Sequence, residues 1–214
     1  GRTIMYNFPR LSGIEVCPFQ PSVFWGNITF SNHLVNTFCE SPCFYSYEED
    51  FEGFFQACKQ AFRITMLRDP VDWLVSAATH YHLTLDELDL SEYWYGYDFP
   101  MYRFATSADD EDRAFENIRS MGFGLVEYME ESIFLLLYQC NRTDNARQMC
   151  KSLDKVPSDG LRPDNHVIVH RNYTYGTYRY HRHRLRHYSN VYTRAAALFH
   201  TRYHTVHNLL CTTL

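Results

Sequence analysis

The sequence predicts an α/β fold, three-layered, with a mainly parallel sheet flanked by helices, as a single domain over residues 1–214. Three observations lead there. Short apolar runs rich in β-forming residues alternate with stretches of helical periodicity, the order expected of parallel strands joined by crossover helices. One run ends in an Arg-Asp-Pro corner that opens a helix. The chain also closes on a long amphipathic pattern, and 45% hydrophobic residues over 214 positions suffice to bury a core.

The elements follow in order. "TIMYNF" (Thr3–Phe8) alternates and reads as a strand, and Pro9 to Pro21 as loop. "SVFWGNITF" (Ser22–Phe30) is a second strand, its aromatics suited to a sheet. Phe51, Phe54, Phe55 and Cys58 recur at helical spacing. "AFRITML" is a short apolar strand, followed by a helix whose Val71, Leu74, Ala77, Ala78 and Tyr81 share a face, with Asp69 as N-cap and Pro70 at the first helical position. Asp86 to Asp112 is acidic and aromatic and reads as a surface excursion. "DEDRAFENIRSM" reads as a helix, "FGLVEY" as a strand and "MEESIFLLLYQC" as a helix. Asn141 to Asn165 reads as a polar connector. Leu185, Tyr188, Val191, Ala195, Leu198, Phe199, Val206 and Leu210 mark one terminal helix.

Charge and composition narrow the function classes. A net charge of −5 gives no global basic field for nucleic acid. No apolar run is long enough to span a bilayer, so membrane attachment would need an anchor outside this sequence. Seven cysteines lack the paired spacing of a zinc site, and no metal is expected. Cys39 with Cys43, and Cys140 with Cys150, are positioned for local disulfides. With sequons at Asn27, Asn141 and Asn172, they favour the lumen of the secretory pathway.

The chemistry concentrates in "FRITMLRDPVDWLVSAATHY" (Phe62–Tyr81). A strand running into a helix N-terminus brings backbone N–H groups and a positive dipole to one spot. Arg68 adds a planar two-pronged donor suited to phosphate or sulfate, and Ser76 offers a hydroxyl two turns along. The alternative is an Arg68 salt-bridged to an acidic neighbour, with Ser76 packed as a small polar residue.

"ITMLRDPVDWLVSAATHY" resembles the segment of Golgi carbohydrate sulfotransferases that binds the 3′-phosphate of 3′-phosphoadenosine-5′-phosphosulfate (PAPS). Its pattern is a strand, Arg-Asp-Pro, then a serine in the next helix. The galactose-3-O-sulfotransferase group, which includes galactosylceramide sulfotransferase, is the most similar, followed by the uronyl 2-O-sulfotransferases. "FGLVEYMEESIFLLL", "LRHYSNVYTRAAALFHTRYHTV" and "RTIMYNFP" are similar to further segments of that family, so the resemblance covers most of the chain. Only the Arg68–Ser76 segment is specific.

The resemblance implies a sulfotransferase fold of P-loop type, with PAPS as co-substrate and Arg68 and Ser76 as 3′-phosphate ligands. It further implies transfer of a sulfuryl group to a sugar hydroxyl of a glycan or glycolipid in the Golgi lumen, by a protein anchored there in its full-length form. Two departures qualify it. The family's lysine-bearing 5′-phosphosulfate loop should precede "RTIMYNFP" and has no counterpart in this sequence, which reads as an N-terminally truncated domain. The family's general-base histidine corresponds to Asn27, which takes no proton at neutral pH, leaving His33 as the candidate base. Both departures favour an alternative: an inactive sulfotransferase-fold subunit with a structural or binding role in a larger assembly. The cluster "YRYHRHRLRH" (Tyr178–His187) faces anionic sugars or nucleotide phosphates, or is a solvated helix start. "YWYGYDF" supplies stacking faces for a sugar ring, or packs as loop.

Overall fold

A computed structural model describes residues 8, 12–14, 62–85, 87, 101, 104–105, 107–153 and 175–212. The chain divides into two compact units, Gly1–Arg63 and Ile64–Leu214. In the first unit, Phe8 is helical and buried, so the strand expected over Thr3–Phe8 does not reach its last residue. The rest of that expected strand, the one over Ser22–Phe30 and the helix around Phe54 lie outside the described residues.

The second unit is α/β. Strand β1 (Ile64–Leu67) pairs in parallel with β2 (Gly122–Leu125), Ile64 opposite Gly122 and Leu67 opposite Leu125. Helix α1 (Pro70–Tyr81) follows β1, and α2 (Glu111–Arg119) precedes β2. A 3-10 turn (Val126–Tyr128) leads from β2 into α3 (Met129–Gln139). Then come α4 (Thr143–Leu153), α5 (Tyr175–Arg184) and the terminal α6 (Arg186–Cys211).

Local chemistry explains most boundaries. Asp69 caps α1, its carboxylate accepting from Val71 and Asp72 N–H, and Pro70 follows at the first helical position. The helix ends at His82, in left-handed conformation at φ 57°, where Leu83 N–H reaches back to the Ala78 carbonyl. Asp110 caps α2 through Arg113 N–H.

The core gathers on β2 and α3. Phe123, Leu125, Phe134 and Leu136 are inaccessible to solvent, joined by Ile118 of α2 and Val191, Ala195 and Phe199 of α6. Each of these side chains except Ala195 contributes about 1.5–3 kcal/mol by leaving water. The close seat of α3 on β2 depends on a glycine. A Cβ at Gly124 would stand 2.4 Å from Ser132 Cβ and 2.7 Å from Met66 Sδ. Buried Ser132 uses that space to accept from Leu125 N–H at 2.8 Å and donate to the Leu125 carbonyl at 2.9 Å.

Three expectations need correction. The connector over Asn141–Asn165 contains α4, which packs on α3 and α6. The excursion over Asp86–Asp112 is partly core, since Met101, Phe104 and Ala105 are buried. The Cys140–Cys150 disulfide does not form. Cys150 pairs instead with Cys211, tying α4 to the end of α6, while Cys140 is a free thiol whose pKa burial pushes up to about 11. The intervening helix explains this, because the eight residues from Thr143 to Cys150 carry Cys150 roughly 10 Å along α4. Cys17, Cys39, Cys43 and Cys58 lie outside the described residues.

Candidate functional site

The in-register pairing of β1 and β2 ends both strands at one level, so Arg68–Asp69 and Val126–Glu127 leave the sheet side by side. In open parallel α/β sheets this carboxyl edge is where ligands bind. Glu127 joins the two exits. Its Oε1 accepts from Asp69 N–H at 2.8 Å, and its Oε2 accepts from the Tyr192 hydroxyl at 2.9 Å. One turn earlier on α6, the Tyr188 hydroxyl donates to the Arg68 carbonyl at 3.1 Å. Two tyrosines four residues apart on one helix face therefore hold both strand ends.

The first turn of α1 has no backbone donor left over. Asp69 N–H goes to Glu127, Pro70 has none, Val71 and Asp72 go to the Asp69 carboxylate, and Trp73 N–H donates to the Asp69 carbonyl at 2.8 Å. The helix start was expected to offer free N–H groups to an anion. Its own carboxylates have taken them. The first turn of α1 therefore has no backbone N–H group to offer an anion.

Burial shapes the electrostatics. It holds the Glu127 carboxyl above the usual range, aided by the negative charge of Asp69, while the bonds from Asp69 N–H and Tyr192 pull the other way. Burial likewise raises Tyr188, and with the Glu127 charge it raises Tyr192, so both hydroxyls keep their protons and remain donors.

Arg68 sits half-buried at the carboxyl end of β1, and Ser76 is half-buried on α1 among the buried Val71, Leu74, Val75 and Ala78. About 100° per residue sets Ser76 well round the helix from that buried stripe. His33 and Asn27 lie outside the described residues, as does "YWYGYDF". In the His/Arg cluster, Arg179, Arg182, His183, Arg184 and Arg186 are exposed, whereas His181 is buried. Among the described residues no group of three or more His, Cys, Asp or Glu side chains could hold a metal ion. No helix of the described residues is long and apolar enough to cross a membrane.

Sequence reasoning missed Glu127, Tyr188 and Tyr192 as site residues. The available signal was a Glu at a strand exit together with two tyrosines at helical spacing on the terminal helix. No family model matches the chain, and no curated protein or solved structure shows significant similarity to it.

Proposed function

We propose that this chain is a sulfotransferase-type domain that uses PAPS to sulfate a galactose or related sugar hydroxyl on a glycan or glycolipid. The observation that carries the reading is Arg68 at the carboxyl edge of a parallel strand pair, directly before a carboxylate-capped helix bearing Ser76. The helix N–H groups are used internally, so the guanidinium of Arg68 and the hydroxyl of Ser76 hold the donor's 3′-phosphate. In the reaction the sugar oxygen forms a new S–O bond as the bond from sulfur to the 5′-phosphate oxygen breaks. The hydroxyl proton passes to a base, for which His33 is the candidate. The Cys150–Cys211 disulfide fits an oxidising lumen such as the Golgi, and Asn141 of the second sequon is exposed.

A second reading is a non-catalytic domain of the same kind that binds rather than transfers. Asn27, standing where the resembled family carries its base, favours it.

Thermal melts with adenosine 3′,5′-bisphosphate test donor binding. Ligand at about 100 times its Kd stabilises by about 2.7 kcal/mol, and Arg68→Ala and Ser76→Ala should each reduce the shift. Labelled PAPS with galactosyl acceptors then separates the two readings: transfer supports the enzyme, binding without transfer the second. No shift at millimolar nucleotide, or an undiminished shift in Arg68→Ala, overturns both.

A further inference from the structure

Charge is segregated along this chain. The net charge is −5, yet none of the 25 acidic residues lies beyond Asp164, whereas seven arginines and eight of the 11 histidines do. Along α6 the protein answers several of these groups itself. His187 Nδ1 lies 2.7 Å from Glu111, Arg194 pairs with Asp112 at 2.8 Å, and Arg202 donates to the Arg119 carbonyl at 3.0 Å.

Toward α5, Arg179, Arg182, Arg184 and Arg186 are exposed. Backbone hydrogen bonding runs through Leu185, from Leu185 N–H to the His181 carbonyl and from Ser189 N–H to the Leu185 carbonyl, so α5 and the start of α6 share one helical phase. The inner face of this helix is buried at His181 and Leu185, the latter packing with Val71, Leu74, Val75 and Ala78 of α1. Arg179, Arg182, His183 and Arg186 are exposed and fall at positions i, i+3, i+4 and i+7. They form a stripe about 10 Å long within roughly 100° of arc.

We propose that this stripe binds an acidic oligosaccharide, a chain of sugars bearing sulfate or carboxylate groups. Guanidinium groups match both anions through paired N–H donors, and residues 165–214 contain arginine but no lysine. A bilayer is a poorer fit. A helix lying on a membrane needs an apolar face to insert, and Leu185 here is buried in a cluster with Val71, Leu74, Val75 and Ala78 of α1. Naming the sugar chain as the acceptor rests on the sulfotransferase reading, and it makes that acceptor acidic before sulfation. Anion binding by the stripe does not depend on that reading.

The test titrates the whole chain with a size-defined chondroitin sulfate hexasaccharide and with a neutral galacto-oligosaccharide of equal length. The sulfated chain should bind, more weakly as salt rises, and the neutral one should not. Arg179→Gln/Arg182→Gln/Arg186→Gln should lower affinity at least about tenfold with unchanged circular dichroism, and the single variants Arg179→Gln and Arg186→Gln by roughly threefold each. Arg68→Ala should keep oligosaccharide binding. Oligosaccharide binding without any nucleotide shift would sink the sulfotransferase reading and leave this surface standing. Undiminished affinity in the triple variant, equal binding of the neutral chain, or binding only to phosphatidylserine vesicles overturns the proposal.

Discussion

Tyr192→Phe removes one hydroxyl and leaves the ring in place. That hydroxyl donates to Glu127 Oε2 at 2.9 Å, a bond to a largely buried carboxylate. Hydrogen bonds to charged partners contribute about 1.5–3 kcal/mol. A chain of this size loses roughly 2–4 °C of melting temperature per kcal/mol, so the variant should melt roughly 3–12 °C lower. Glu127→Ala strips Asp69 N–H and Tyr192 of one acceptor each, and combining it with Tyr192→Phe should cost less than the sum, by a coupling of about 1–3 kcal/mol. Glu127→Gln behaves differently. Its amide oxygen can accept from Asp69 N–H while its amide nitrogen donates to the Tyr192 oxygen, so both contacts persist without charge. The pH response has a definite sign. Burial raises the folded-state pKa of Glu127 above the ordinary 4.5, so the folded protein holds this proton more tightly than the unfolded chain. The resulting stability is fully present below the unfolded value and is lost as pH rises through the folded one. Urea and thermal melts of the wild type and these variants between about pH 4 and 8 would read this out, with Glu127→Gln lacking that component. Single costs that add within about 0.5 kcal/mol, or a Glu127→Gln profile superimposable on wild type, would refute the reasoning.

Two further outcomes follow from the packing. Cys150→Ser opens a cross-link spanning 61 residues, for which chain entropy gives a loss of about 4 kcal/mol, read as a lowered urea midpoint relative to wild type under non-reducing conditions. Gly124→Ala forces a Cβ against Ser132 and Met66, so denaturant melts should show a loss of about 1–3 kcal/mol, partly recovered by Ser132→Gly, which removes the nearest atoms.

The parts of the fold legible in the sequence are those written in neighbouring residues. Asp69 and Pro70 start α1 through contacts that span three positions, and the leucine run of α3 is apolar enough to be buried wherever the chain goes. Helix α4 was not legible because its composition is polar. Among the described side chains of "TDNARQMCKSL" only Ala146 and Cys150 are fully buried, one turn apart, too short an apolar stripe to stand out from a loop. The disulfide was illegible for a related reason. Proximity in sequence favoured Cys140 for Cys150, but the helical rise of α4 removes that partner, and the packing of α4 on α6 supplies Cys211.

The site divides along the same line. Arg68 and Ser76 stand out because they lie in one contiguous segment with a recognisable strand, corner and helix. Glu127 and Tyr192 are separated by 65 positions, and only the pairing of β1 with β2 and the course of α6 bring them to Asp69. This arrangement has a functional consequence. The position of Arg68 depends on β1 and also on Tyr188, which grips its carbonyl, while the next backbone N–H is held by Glu127 and through it by Tyr192. The terminal helix thus helps to fix the backbone from which Arg68 projects. If the corner holds the donor nucleotide as proposed, a lesion in α6 that loosens either tyrosine should weaken adenosine 3′,5′-bisphosphate binding while leaving Arg68 and Ser76 unchanged.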